Sequence, residues 1–519
     1  MMDFIQKLGQ RVIGMLSGFD RVRFRGTRRQ WCTVGGMDSY MRWAKVLYKD
    51  FMSFFTDKTK RLREATEQLA QRHGDRVHYL EDSTGSKEEL ARKMAKDKGI
   101  TEGLIGIFSC KETCRSFKTS RDAKARKLRL NYLPVKCLHY YHYYLHPKLG
   151  FCHVRLQTWV PFNIHICING REWLARQMDR AGLGYLRRDN CFAGLQDIAR
   201  SQELMDKQLR TDWPALLDSL AALANPIDQE LFGSHPVPYY WSADETEWAS
   251  DVMFKSHGDL QQLYRRLIPQ AMITFSSRDV LRFLGGRLTA GGNINGHFEG
   301  GIESDLKDRP EGVRIKHKVN SNSVKMYDKQ GSVLRVETTI NQPRDLKTFR
   351  RPEGRPKAKR RWLRMRKGVA DLHRRAEVSQ ACNERYLEAL AELPQDRTVG
   401  QILQPLTMPV QYRGRRVRGL RPLEHADSRL LATVSRAEFL LSGFRNRDLR
   451  EAVYGKDPKD AQTLRSRSAA ISRQLRMLRA HGLIRKVSSS HRYRLTDKGR
   501  TITQVLLLTQ EARTSKLAA

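Results

Sequence analysis

The stretch NSNSVKMYDKQGSVLRVETTIN, Asn320–Asn341, brings Lys325, Tyr327, Lys329, Arg335 and Glu337 close together. A phenol, ammoniums, a guanidinium and a carboxylate are what tyrosine-mediated phosphodiester transfer requires. The phenolate attacks phosphorus, the cations meet the developing charge, and the carboxylate holds a divalent metal. Val324 and Met326 alternate with Lys325, Tyr327 and Lys329; Leu334, Val336 and Thr338 alternate with Arg335, Glu337 and Thr339. With a turn at Gly331, two paired strands would present the reactive groups on one surface. Tyr327, Lys329 and Arg335 are therefore the candidate catalytic residues, and Glu337 the candidate ligand of Mg2+ or Mn2+. The same hairpin would equally line a nucleic-acid groove without chemistry. Arg314, Lys316, His317 and Lys325 are then phosphate contacts, and Asn322 is another polar candidate.

The composition names the partner class. Lys plus Arg number 95 against 56 Asp plus Glu, a net charge of +39 over 519 residues. Such a surface repels itself unless a polyanion neutralises it, and the phosphate backbone is the usual polyanion. No segment reaches the ~20 apolar residues of a membrane span. The N-terminal MMDFIQKLGQRVIGMLSG has charges within its apolar stretch, unlike a secretory signal. Eight scattered cysteines suit a reducing cytoplasm. No Gly-rich phosphate fingerprint occurs, so no nucleotide cofactor is expected.

The central pattern K-x-Y-D-K…L-R-x-E, within Arg314–Ile340, resembles the C-terminal part of rolling-circle replication initiators of the Rep_trans type, and loosely filamentous-phage replication endonucleases. The resemblance implies nicking of one DNA strand by a tyrosine with a metal ion, with Tyr327, Lys329, Arg335 and Glu337 on the matching positions. The stretch ahead of the motif, RIKHKVNSNS, departs from the family pattern, and NIHICING offers only His165 where the family has two histidines. Near the other end, SAAISRQLRMLRAHGLIRKV followed by HRYRLTDKGR resembles a MarR/ArsR-like winged helix, Arg429 to about Leu508. That resemblance implies DNA contacts from Arg467, Arg473, Arg476 and Arg479 on the longer helix and from His491 and Arg492 on the wing.

Length and pattern suggest an α+β chain of several domains. Residues 1–130 read as a mixed α/β domain, with Phe4, Leu8, Val12 and Leu16 on one helical face and a helix over roughly Met37–Arg72. Residues 131–343 read as a central β-rich domain with a helical insertion at about 171–290. Residues 344–395 form a basic loop that becomes helix from Arg360; Arg350, Arg351, Lys359, Arg360, Arg361 and Arg364 are its nucleic-acid candidates. Residues 396–519 hold the winged helix. Asp244, Glu247 and Asp251 fit one face of a helix and would lie beside Glu337, although a solvated acidic face suits them too. Tyr140, Tyr141, Tyr143 and Tyr144 would stack bases or fill a core. The cysteines read as buried free thiols, because no four ligands fall at zinc-site spacing.

The function that follows is a DNA-processing protein of a mobile element or replicon, which nicks and rejoins a strand. A winged-helix transcriptional regulator and a structured-RNA-binding protein are the alternatives.

Overall fold

A computed structural model describes residues 2–82, 84–122, 126–308, 312–391, 399–436, 439, 443–458, 460–487 and 490–511. The chain is mixed α and β and divides into two compact units, Met1–Glu392 and Leu393–Ala519.

The strands of the first unit's main sheet and its small hairpin are β1 (Val12–Arg28), β2 (Val77–Tyr79), β3 (Gly103–Asp122), β4 (Lys127–His146), β5 (Gly150–Gln157), β6 (Ile164–Asn169), β7 (Tyr185–Arg188), β8 (Cys191–Leu195), β9 (Tyr239–Phe254), β10 (Ile302–Lys307), β11 (Arg314–Val319), β12 (Asn322–Lys329) and β13 (Val333–Ile340). Eleven of them make one sheet in the order β10-β11-β12-β13-β9-β1-β6-β5-β4-β3-β2, and β7 pairs with β8 apart from it. Among the described residues only β2–β3 is a parallel pair, as the strand–helix–strand pattern at 77–110 predicts. The segments 1–130 and 131–343 thus share one sheet, and no strand among the described residues of 344–395 belongs to it.

One side of the sheet is covered. Val22, Phe24, Val154, Leu156, Ile164 and Ile166 pack against Phe51, Phe55, Leu217 and Leu220 of the helices Phe51–Arg72 and Trp213–Ala224. Asn383, on the helix Leu372–Ala391, donates to the Trp248 and Val336 carbonyls at 3.1 and 3.0 Å, tying that helix to β9 and β13. The opposite side is only partly covered, by the helices Lys87–Asp97, Gly170–Ala181 and Ile198–Asp206 and by the β7–β8 hairpin. Between those covers the alternating residues Arg21, Arg23 and Arg25 of β1, His165 of β6, Arg155 of β5, Lys325 of β12 and Arg314, Lys316 and Lys318 of β11 remain partly exposed.

Several expected elements differ. Val12 and Leu16 sit on β1, beyond a helix that ends at Leu8. The stretch Met37–Arg72 is two helices, Val34–Trp43 and Phe51–Arg72. Residues 243–254 are strand, not helix. Glu245, Glu247 and Asp251 alternate with Thr246, Trp248 and Val252, whose bulky side chains fill the covered side. Residues 360–368 are not helical either: Lys347–Arg350 pairs with Arg361–Arg364 as a hairpin, and the helix begins at Leu372. The turn expected at 308–312 falls mostly on residues outside those described.

In the second unit a helix spans Asn446–Tyr454, with Asp448 accepting from the Arg445 backbone; Asn446 is its first residue rather than its cap. A longer helix spans Ala461–Ala480, capped by Asp460 and so starting earlier than Ser468. The strands Ile484–Lys486 and Tyr493–Leu495 pair, and the helix Asp497–Glu511 follows. Of the expected wing tip, Ser488 and Ser489 lie outside the described residues.

Candidate metal centre and cationic sheet face

The hairpin β12–β13 aligns Tyr327 with Arg335 and Lys325 with Glu337, and β13 aligns Arg335 with Asp251 of β9. Beyond β9 lies β1, where a bulge between Phe19 and Arg21 turns Asp20 toward the same side as Arg21 and Glu247. Three adjacent strands, β13, β9 and β1, thereby put Glu337, Glu247, Asp251 and Asp20 in one polar layer.

Two ion-pair groups divide it. In the deeper one, Arg335 donates to Asp251 through Nε at 2.6 Å and Nη2 at 2.8 Å, and its Nη1 lies 3.1 Å from Asp20. Arg171 reaches the same Asp251 at 2.8 Å. Asn190 of the β7–β8 turn donates to both oxygens of Asp20. In the shallower group, Lys325 donates to Glu337 at 2.8 Å and Glu247 at 3.0 Å, and Arg21 donates to Glu247 at 3.0 Å. Tyr327 Oη donates to the other oxygen of Glu337 at 2.8 Å.

These contacts set the proton affinities. Burial favours a neutral Glu337, but Lys325 and Arg335 outweigh it and hold the carboxyl down to about 2. Glu247 moves the opposite way. Burial, with the charge of Glu337 next, pushes it up to about 7 against Lys325 and Arg21. Burial and the nearby Glu337 carboxylate also push the Tyr327 phenol well above its usual range.

A raised carboxyl gives an inverse pH dependence. The folded chain holds a proton that the unfolded chain has released, so this stability is full below the ordinary value of 4.5 and is lost as pH rises through about 7. Urea unfolding of the metal-free protein should therefore show stability falling across that window. In Glu247→Gln the slope should be shallower by up to one proton.

Asp20, Glu247 and Glu337 each offer an oxygen, all within 4.8 Å of one another and all buried. An all-carboxylate donor set suits a hard divalent cation such as Mg2+, Mn2+ or Ca2+. Lys325 now bridges two of the three, and Arg21, with 43 % of its side chain exposed, has room to turn outward. The three oxygens are a donor set that such an ion could take if Lys325 and Arg21 gave way.

The sequence candidates divide by position. Lys325, Tyr327, Arg335 and Glu337 meet in this layer. Lys329 lies at its edge, donating to Asp189 at 2.8 Å. Arg314 and Lys316 continue the face along β11, Arg314 opposite Tyr327 and Lys316 opposite Lys325. His317 points to the covered side; it is fully buried among Phe275, Phe283 and Tyr386, and burial holds its ring neutral at about 4. Asn322 is buried too, accepting from the Asn341 and Gln342 backbone. Tyr140, Tyr141, Tyr143 and Tyr144 are buried, so no base can stack on them.

On the Lys347–Arg364 hairpin, Arg351, Lys359, Arg360, Arg361 and Arg364 are exposed, while Arg350 is buried and donates to the Arg351 and Arg364 carbonyls. The same hairpin exposes Phe349 and Trp362, each 55 % accessible, with ring centroids 5.7 Å apart. In the second unit Arg473, Arg476 and His491 are exposed. Arg467 and Arg479 lie over the rings of Tyr454 and Tyr412, and Arg492 donates to the Gly443 carbonyl.

Asp20, Glu247 and Asp251 complete the layer without standing out together in the sequence. Glu247 and Asp251 carry the acidic signal of 244–251. Asp20 has only the alternating arginines of β1 beside it. Gly170 supports that bulge: a Cβ there would lie 1.6 Å from the Phe19 carbonyl oxygen. Gly170→Ala should push the Gly170–Ala181 helix off β1 and destabilise the chain by about 1–3 kcal/mol in urea unfolding.

Compared with known proteins, the chain matches no family model, no curated protein and no solved structure.

Proposed function

We propose that the chain is a nucleic-acid-processing protein, of the kind a mobile element or replicon uses, that lays a DNA strand across the open sheet face and cuts or rejoins it with a divalent cation. The observation that carries this reading is the convergence of Asp20, Glu247 and Glu337 beside a face whose partly exposed strand residues are mostly Arg and Lys.

A bound cation would supply Lewis-acid stabilisation of the phosphodiester oxygens. The chain's own residues do the rest. Arg21, Lys325, Lys316 and Arg314 neutralise phosphates along the strand. Lys325 and Tyr327 fix the two oxygens of Glu337, and Arg335 fixes Asp20. Tyr327 acts here as a positioning residue. As the attacking group it would have to break its bond to Glu337 and ionise where burial and that carboxylate oppose it. Phe349 and Trp362 add a stacking platform amid exposed cations. The Arg-rich helix Ala461–Ala480 suits a second DNA contact of winged-helix type. The free cysteines suit a cytoplasmic setting.

The test incubates the full chain with supercoiled plasmid, single-stranded DNA and RNA, with and without Mn2+. Nicking or strand cleavage that needs the ion is expected on DNA. Cleavage confined to RNA would move the substrate class. A covalent DNA adduct that disappears in Tyr327→Phe would restore the tyrosine as nucleophile. The balance of the layer, Asp20, Glu247, Asp251 and Glu337 against Arg21, Arg171, Lys325 and Arg335, favours a second reading as a binding protein without chemistry. Binding with a steep salt dependence and no cleavage would support that reading.

A further inference from the structure

The hairpin β3–β4 carries a second group of ligating side chains. Its register sets Cys110 opposite His139, Glu112 opposite Cys137 and Cys114 opposite Val135. Cys110, Glu112 and Cys114 therefore share a face with Cys137 and His139, and Cys114 is the diagonal neighbour of Cys137. Their Sγ atoms lie 2.7 Å apart, and Cys114 Sγ, Cys137 Sγ and a His139 ring nitrogen all fall within 4.8 Å of one another.

We propose that Cys114, Cys137 and His139 form a binding site for Zn2+ or a similar thiophilic divalent ion, with three protein ligands and a fourth position for water or an exogenous anion.

The imidazole decides between a metal site and a disulfide. His139 Nδ1 lies 3.2 Å from the Cys137 carbonyl oxygen, which can only accept, so the proton sits on Nδ1. Nε2 is then left as the electron-pair donor. A ring nitrogen tied to a carbonyl is the arrangement that orients ligating histidines through the other nitrogen. A disulfide would have no use for it.

Zinc–sulfur bonds of about 2.3 Å at a tetrahedral angle put the two sulfurs about 3.8 Å apart, so the pair opens by about 1 Å to take the ion. Both cysteines are only half-buried, whereas His139 is buried beneath them, so the ion has a route from solvent. Glu112 does not supply a fourth ligand. Its oxygens accept from Tyr141 at 2.6 Å, Cys110 at 3.2 Å and Arg155 at 2.5 Å. Soft thiolates separate this site from the all-oxygen cluster at Glu337, which selects hard ions. A bound ion would clamp the long β3–β4 arm at mid-length.

The experiment measures metal content of the full chain purified without chelator, then strips the wild-type protein and titrates it with Co2+. About one zinc per chain is expected, together with a near-ultraviolet thiolate-to-cobalt charge-transfer band. Both should fall at least ~10-fold in Cys114→Ser and Cys137→Ser and drop in His139→Asn, while Glu337→Gln keeps them. The Co2+ titration of wild-type protein needs no variant to fold. Sub-stoichiometric zinc with no charge-transfer band would overturn the proposal. So would undiminished zinc in Cys114→Ser, or a Cys114–Cys137 disulfide found by mass spectrometry of non-reduced peptides.

Discussion

Asp251→Ala should destabilise the first unit by about 3–5 kcal/mol, the largest stability effect expected of any single substitution in the polar layer. Asp251 is fully buried and is the shared partner of two buried guanidiniums, Arg171 and Arg335. Removing it leaves both cations in a low-dielectric interior. Arg335 would keep Asp20 at 3.1 Å and the Asn190 carbonyl at 2.8 Å, but Arg171 would keep only Asp20 at 3.7 Å. The two arginines hold the Asp251 carboxyl below its ordinary range. Its contribution is therefore complete above that range and is lost as pH falls through the lowered folded value. Chemical denaturation at neutral pH measures the loss directly. A change below about 1 kcal/mol, the scale of an exposed pair, would mean that the layer is solvated rather than buried.

Glu337→Gln should lower metal-dependent cleavage by at least ~100-fold with little effect on folding. The amide keeps the size of the carboxylate: its one oxygen still accepts from Lys325, its NH2 can donate to the Tyr327 hydroxyl oxygen once that O–H turns away, and Lys325 retains Glu247 at 3.0 Å. The charge is lost, and with it one of the three ligands. Unfolding in urea, measured beside the cleavage rate, separates a lost ligand from a lost fold. The same variant should bind a labelled DNA strand about as well as the parent, because phosphate contact falls to the cations of β1, β11 and β12.

How far the site could be read from the sequence follows from the spacing of its parts. Strands β12 and β13 were legible because Lys325, Tyr327, Arg335 and Glu337 alternate with apolar residues, and the observed register places Tyr327 opposite Arg335. The neighbouring strand β9 was not. Asp244, Glu247 and Asp251 also fit a helical face, and nothing local shows that Thr246, Trp248 and Val252 have a core to enter. Asp20 was hidden for another reason. It reaches the site through a β-bulge some 230 residues before β9, and a bulge that shifts strand alternation leaves no mark in a hydropathy pattern. Cys114 and Cys137 were missed likewise: their closeness comes from the register of a long hairpin, not from their separation along the chain. His317 shows the converse error, since its basic neighbours Lys316 and Lys318 face outward while the ring enters the aromatic core.

The most direct test of the central claim is a Mn2+ titration of the full chain followed by electron paramagnetic resonance, run on the wild-type protein and on Glu247→Gln and Glu337→Gln, each shown folded by circular dichroism. A protein-bound Mn2+ population is expected in the wild type, disappearing in both variants and persisting in Cys114→Ser. Mn2+ binding that is unchanged when both carboxylates are neutralised, or that never appears in the wild type, would contradict that claim.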